Sequence, residues 1–505
     1  MRKSFRCSVI GIFSSRASPP DRALDTMGLL TDRIGNLFDA SGSLTDEGRL
    51  VAVVVYVLVV VVALRRGKKF LINAFPSNVR EYVPYRHDAR GTDTVCVDCT
   101  HPRLPTLTHH KESRTPEYLK GDTSTDVVLN ALTDPAGWQP MRVASKVTCN
   151  HFDVDGVLSV WACINPVAAR KHETLMRAIA RLGDMREMAF EPDGSVAAGS
   201  VAAAALEFCA WMNAVEALEF SKPFEGDEAA ASAKKYAYFL PLVKDALEVI
   251  AHGASDASNR RGEEEKNMTS DAVETRRVVT KTIRKRLRLE LGDAESFAVR
   301  RDAARLFDDA QTAVTFEHDL NVVFIETEGA PCHYYALFSV AKNADVVVSA
   351  HGDRAYEIES RYVGFVDYRS RPTTPRMDLG VLADALNAME DLKDLKAING
   401  GAEPKWECAG FTDSGPLLRL GDPSRRLTKA QRYGSPSDRP HFASTIPYAA
   451  FKKTTASFFR HALESIARAR GTPGGAAGVA KVGWTWKETR AAHDAIDWSE
   501  WKPPR

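Results

Sequence analysis

Residues 143–164 constrain the fold more than any other stretch. An extended run of branched and polar residues (143–151) leads into the acidic turn His151-Phe152-Asp153-Val154-Asp155-Gly156. A short apolar helix, predicted over 157–164, follows and is halted by Asn165-Pro166. Strand, turn and helix in that order form the unit of an α/β protein, where ligands sit at the carboxyl ends of strands. If the chain enters the turn extended, its period of two puts His151, Asp153 and Asp155 on one face, and Gly156 permits the sharp turn into the helix. Two carboxylates beside an imidazole make a cradle for a divalent cation. The plainer alternative has Asp155 capping a helix that begins at Val157, with His151 bonded to a backbone carbonyl.

The rest of the chain repeats this alternation. Further strands are predicted over 94–99, 321–325, 345–349 and 355–367, the last with branched and aromatic residues between charges. Helices are predicted over 126–132, 168–182, 201–218, 229–251, 276–288, 379–395 and 448–468. The fold class is therefore α/β, a mixed sheet with flanking helices. With 505 residues, 44% of them hydrophobic, there is material for more than one domain. The boundaries read as an α/β domain over 81–252 carrying the acidic turn, a charged small-residue linker over 253–267 and a second α/β portion over 268–468. A tail over 469–505 is Gly/Ala-rich and then holds Trp484, Trp486, Trp498 and Trp501. Four tryptophans are costly to leave in water, so the tail is predicted to pack on the body or on a partner.

Two features precede the globular pattern. Residues 1–20 hold Arg2, Lys3, Arg6 and Arg16 with several serines and no acid, a composition like an organelle transit peptide, within a targeting-like or disordered segment over 1–48. Residues 50–64 are uninterrupted Val, Ala and Leu with one Tyr, closed by Arg65-Arg66-Gly67-Lys68-Lys69. That run is too long for a core strand and has no polar face for a soluble helix. It is short for a span of about 20 residues unless the flanking arginines snorkel. An N-terminal hydrophobic anchor helix over 49–69 is predicted in preference to a buried hydrophobic element, with the basic cluster and the large C-terminal portion on the cytosolic or matrix-like side of a plastid, mitochondrial or other membrane.

Charge and cysteine content narrow the partners. Lys+Arg at 67 against Asp+Glu at 66 leaves a net charge of +1, so a nucleic-acid partner would have to be held by a local patch. The basic stretch 276–288 is interleaved with Val278, Val279, Ile283 and Leu287, which reads first as a helix with one buried and one solvated face. A phosphate-rich ligand or an anionic lipid is the sharper alternative. Eight scattered cysteines do not make a disulfide framework. Cys96-Val97-Asp98-Cys99 lacks the second pair that a structural zinc site needs, and reads as two thiols on a half-buried strand.

The acidic turn invites three comparisons. A calcium EF-hand fails, because aligning Gly156 with the loop glycine puts His151 at the first ligand position and Ala162 where a bidentate Glu belongs. Phe152 to Leu158 resembles the first motif of haloacid-dehalogenase-type phosphatases, which implies Asp153 as phosphoryl-accepting nucleophile and Asp155 as general acid/base. The residues before it are polar where that family has an apolar strand, and His351-Gly352-Asp353 is the nearest thing to a later motif. His151-x-Asp153-x-Asp155-Gly156-x-x-Ser159 resembles the first motif of the DHH phosphoesterase superfamily, which includes the RecJ-like nucleases. That resemblance implies paired Mn²⁺ or Mg²⁺ ions, held by the His and the two Asp, that activate water against a phosphoester. Asp184 would be a second-motif carboxylate. No Asp-His-His triplet occurs; the nearest substitutes are His109-His110 and His318-Asp319.

A broader resemblance spans about residues 81–463. The segments Val83-Pro84-Tyr85, Leu107-Thr108-His109, Asn150 to Gly156 and Arg361-Tyr362 to Asp367 are similar to those of an uncharacterised bacterial and plant domain family with no assigned activity. The sequence thus predicts a metal-dependent phosphoester hydrolase acting on a phosphorylated substrate, with catalytic Asp153 and Asp155. The predicted metal ligands are His151, Asp153, Asp155, Asp184 and His109, and Ser159 and His333 are predicted at the substrate. The alternatives are a covalent phosphatase using Asp153 and a non-catalytic membrane-anchored scaffold.

Overall fold

The computed structural model describes residues 80–134, 137–220, 228–257, 270–352, 354–413, 417–425 and 427–504. The transit-like segment, the apolar run 50–64 and residues 258–267 of the predicted linker lie outside these residues. The described residues belong to one compact unit, mixed α/β with two sheets.

The first sheet consists of β1 (Glu81–Tyr82), β2 (Thr94–Val97), β3 (Thr106–Leu107) and β4 (Lys146–Thr148), all parallel, in the order β1-β4-β2-β3. Parallel pairing brings the chain leaving each strand to one edge. Asp98, Thr108-His109 and Cys149 follow β2, β3 and β4 directly, so residues far apart in sequence meet there. The helices accompanying this sheet are α1 (Ser124–Thr133), α2 (Gln139–Val143), α3 (Val154–Ile164), α4 (Pro166–Lys171), α5 (Glu173–Met185), α6 (Val201–Glu219), α7 (Glu228–Ala257), α8 (Ser270–Leu287) and α9 (Asp293–Leu306). Val95, Val97, Val147, Val157, Trp161 and Phe239 are among the residues of their shared core.

The second sheet is mixed, with order β5-β6-β7-β8-β10-β9: β5 (Thr312–Glu317), β6 (Val322–Thr327), β7 (Val346–His351), β8 (Ala355–Ser360), β9 (Lys405–Cys408) and β10 (Leu417–Gly421). Its helices are α10 (Tyr334–Val340), α11 (Gly380–Met389), α12 (Leu392–Ile398), α13 (Lys429–Tyr433), α14 (Tyr448–Arg470) and α15 (Trp486–Asp494). Strand alternation divides the core. Val322, Phe324 and Val348 face α14 and the tail, whereas Val323, Ile325 and Val347 face α9 and α10. The tail packs back on the body: Trp484 and Trp501 are buried, and Trp498 stacks on Phe458 at 4.7 Å.

Several boundaries differ from the sequence reading for identifiable reasons. The predicted extended segment 143–151 shrinks to β4, because α2 occupies its start and Asp153 caps the following helix. That helix therefore begins at Val154, not Val157, and Asp155 lies in its first turn rather than on a strand face. The predicted helix 379–395 breaks where Glu390 accepts hydrogen bonds from Trp406, Ser444 and Thr445, and Asp391 caps α12. The predicted strand 355–367 ends at Ser360, and Tyr362–Gly364 forms a short 3-10 turn. The first five residues of the predicted linker continue α7 as helix.

Among the described residues α6 is the one helix long and apolar enough to cross a membrane by length and composition. Its residues Leu206, Phe208, Trp211 and Met212 are buried, and it packs against α5, α7 and α9.

Candidate metal centre

Asp98 is the first residue beyond β2 and adopts a left-handed backbone, φ 53°, which Asp tolerates better than most residues. This turns its side chain into the edge where β2, β3 and β4 end. Oδ1 lies 3.7 Å from His109 Nε2, and Oδ2 lies 3.2 Å from His151 Nε2. One buried carboxylate thus faces two imidazoles through different oxygens.

Both rings are oriented from behind. His109 Nδ1 is 2.6 Å from the Asp122 carbonyl and can only donate to it, which leaves Nε2 to face the acids. His151 Nδ1 lies 2.8 Å from Asn150 Oδ1, with Nε2 3.0 Å from Asp153 Oδ2. His109 Nε2 has Asp184 Oδ2 at 3.4 Å and Asp155 Oδ2 at 3.8 Å. An imidazole lone pair opposite carboxylate oxygens is repulsive, so a proton or a metal cation must lie between them.

Two helices deliver the other acids. Asp155 accepts from Ser124 N at 2.6 Å and Thr125 N at 2.8 Å, the first amides of α1, so its charge sits at the positive end of that helix. The Thr123–Asp126 capping box holds those amides in place. Asp184 is brought in by close packing of α5 on α3: a Cβ on Gly183 would stand 2.7 Å from Val154 Cβ. Asp153 uses Oδ1 to cap α3 through Gly156 N at 2.7 Å and keeps Oδ2 for His151.

Four carboxylates therefore converge, with Asp98, Asp155 and Asp184 shut away from water and Asp153 on the open side. Burial, and then Asp153 and Asp155, push Asp98 up to about 7. Burial, then Asp153, does the same to Asp155, also to about 7. Asp184 goes well above its ordinary value through burial and the other three acids. Burial would raise Asp153 too, but His151 overrides it and holds the carboxyl well below the usual range. His151 is in turn raised well above an ordinary imidazole despite burial, by Cys149, Asp153 and Asp98. Such a cluster retains protons at neutral pH unless another cation replaces them.

The donors suit that replacement. Both Asp98 oxygens and His109 Nε2 are buried without a hydrogen-bond partner. Three overlapping groups have ligand atoms close enough to share an ion: His109 with Asp155 and Asp184; Asp98 with His109 and His110; Asp98 with Cys149 and His151. Carboxylate and imidazole donors fit Mn²⁺, and a carboxylate-rich set fits Mg²⁺.

The structure brings together His151, Asp153, Asp155, Asp184 and His109 from the sequence reading. Ser159 lies behind Asp155, its Oγ 3.3 Å from Thr125 Oγ1, and supports the α1–α3 contact. His333 serves another part of the fold: it caps α10, accepts from Tyr335 N at 3.2 Å, and has Glu295 3.3 Å from its Nε2. His318-Asp319 forms a short turn between β5 and β6.

The sequence reading passed over Asp98, Tyr236 and Tyr362. The signal for Asp98 was an acid directly following a buried strand, masked by the cysteines on either side. Those cysteines are buried, with their Sγ atoms 3.0 Å apart. Tyr362 closes one wall: its hydroxyl is 3.2 Å from His110 Nε2, while His110 Nδ1 contacts Thr108 Oγ1 at 2.6 Å. Asp367 N donates to the His109 carbonyl at 2.7 Å, so the loop after β8 is fastened to the centre. Gly156 has a role the turn argument missed. Its φ is not positive; instead, a Cβ there would lie 2.6 Å from the Tyr236 hydroxyl and 3.0 Å from Asp98 Oδ2.

Comparison with known proteins yields no match among curated proteins or solved structures. Residues 78–470, which include every residue of the centre, match the family described as "Family of unknown function (DUF6687)", and the chain belongs to that family.

Proposed function

We propose that the protein is a metal-dependent phosphoester hydrolase of DHH-like type, using Mn²⁺ or Mg²⁺ at the edge of the first sheet. The observation that carries this reading is Asp98 set between His109 and His151, each of its oxygens toward a different ring. Asp98 could therefore offer a ligand oxygen on the side of each ring. His151, Asp153 and Asp98 would hold one ion; His109, Asp155, Asp184 and Asp98 the other. Divalent ions there supply Lewis acidity toward a phosphoryl oxygen and lower the pKa of a water.

The chain's own residues do the rest. Asn150 and the Asp122 carbonyl orient the two rings, the α1 amides fix Asp155, and Tyr362 with Phe365 shields His110. The side chains of His151 and Asp153, 22% and 38% exposed, mark the open side from which a phosphoester enters.

The covalent alternative, with Asp153 as nucleophile, is supported less well. One oxygen of Asp153 caps α3 and the other faces His151, which favours a fixed ligand over a nucleophile aimed at a phosphoryl group. The reading also keeps the membrane anchor over 50–64, which would tether the enzyme to an organelle or other membrane. Carbonate extraction of membranes, comparing the full chain with one lacking residues 1–74, tests that part.

The hydrolase reading is tested with the full chain on bis(p-nitrophenyl) phosphate with Mn²⁺, Mg²⁺ or chelator. Metal-dependent release lost in Asp153→Asn and Asp155→Asn supports it. A beryllium fluoride adduct at Asp153 in protein free of Mn²⁺ would move the assignment to the covalent phosphatase. Neither result, in folded protein, would leave the scaffold.

A further inference from the structure

We propose that the Tyr236 hydroxyl is the donor that binds a phosphoryl oxygen of the substrate at this centre; the inference rests on the hydrolase reading above. Tyr236 comes from α7, outside the acidic turn and every other segment of the family-like signature. Its ring is fixed on two sides, stacked on Tyr82 at 4.6 Å and edge-on to Phe152 at 5.4 Å. The hydroxyl direction is therefore set by packing, as a preorganised contact requires.

That hydroxyl is fully buried, and no hydrogen bond satisfies it. It lies beside the Cys149 thiol, a weak partner, and near Asp153 and Asp98. Gly156 lets the phenol and the acids share this corner: a Cβ there would stand 2.6 Å from the hydroxyl, 3.0 Å from Asp98 Oδ2 and 3.1 Å from Asp153 Oδ1. A phenol that had settled on a carboxylate would be structural. No hydrogen bond ties this one to either acid, so the partner it lacks is an acceptor that enters with the substrate.

The other donors named around the centre are committed. His109 Nδ1 is taken by the Asp122 carbonyl, His151 Nδ1 by Asn150, His110 by Thr108 and Tyr362, and the α1 amides by Asp155. The centre is rich in negative charge, and once ions compensate that charge an anionic oxygen needs a neutral donor to fix its orientation. A phenol provides one without adding a further acid.

The experiment titrates inorganic phosphate into the full-length protein preloaded with Mn²⁺, wild type against Tyr236→Phe, after Mn²⁺ affinity has been measured for both. The expected result is unchanged Mn²⁺ affinity and phosphate binding weakened about tenfold, the loss of one hydrogen bond to a charged acceptor. Equal phosphate affinity in the two proteins overturns the proposal, as does a wild-type protein that holds Mn²⁺ but no phosphate. A fall in Mn²⁺ affinity would make the phenol a metal ligand and overturn it too. So would failure of Tyr236→Phe to fold, since the hydroxyl would then be supporting the core. A wild-type protein that binds no Mn²⁺ removes the hydrolase reading itself, a separate outcome.

Discussion

Asp98 Oδ2 lies 3.2 Å from His151 Nε2, and the two residues leave neighbouring parallel strands that pair Cys96 with Thr148. The contact is set by strand register. It holds two groups together that repel each other unless a cation or a proton intervenes, and much of the behaviour of the site follows from that.

Asp122 should matter to metal binding without touching the ion. Its carbonyl orients His109, while its carboxylate accepts from Arg369 N and Ser370 N, both at 2.9 Å, and pairs with Arg181 at 3.1 Å. Asp122→Ala should release that carbonyl and lower Mn²⁺ affinity by about 10–100-fold, the usual consequence of losing a group that orients a ligand. Calorimetry on folded variant protein checks this, and affinity within twofold of wild type would contradict it.

Gly156→Ala should destabilise the protein by about 1–3 kcal/mol, the cost of forcing a methyl group into filled space. Part of that cost is the contact with the Tyr236 hydroxyl. Tyr236→Phe should therefore be less damaging in the Gly156→Ala background than in wild type. Urea unfolding of the four proteins gives the coupling directly, and strict additivity would show that the two positions do not meet.

Metal-free protein should lose stability as pH rises from about 4 to about 7. Asp98 and Asp155 are each pushed up to about 7 in the folded state, so the fold binds more protons than the unfolded chain across that window. Their stabilising contribution is complete below the unfolded value and is lost as pH passes the folded one. Saturating Mn²⁺ should flatten the decline, since it favours the ionised acids, and Mn²⁺ affinity should climb over the same range. Thermal unfolding at several pH values with and without Mn²⁺ tests both signs.

His333→Ala should leave Mn²⁺ binding unchanged and cost about 1–2 kcal/mol of stability, because the ring satisfies Tyr335 N and contacts Glu295 rather than the acidic centre. A change in metal affinity would show that the C-terminal half reaches the site through α10.

The α/β alternation and the acidic turn were legible because each is local: branched runs, a helix stop at Asn165-Pro166, and acids at fixed spacing. The geometry of the turn was not. Asp153 capping α3 and Asp155 accepting from α1 depend on which helix lies opposite, which periodicity does not encode. His109 was visible through its surrounding segment, but its partner Asp98 was hidden between Cys96 and Cys99. An acid after a strand becomes informative only when the parallel order β4-β2-β3 places it between two histidines. Tyr236 gave no signal at all. It sits one-sided on a long helix, and only the space beside Gly156 shows what its hydroxyl faces.

The most direct measurement is titration of Mn²⁺ into the full-length protein by calorimetry, wild type against Asp98→Asn. Asp98 serving both imidazoles predicts that wild type takes up about two ions and that the single substitution weakens both, by about tenfold or more each. No binding by folded wild-type protein, or two sites of unaltered affinity in Asp98→Asn, would contradict it.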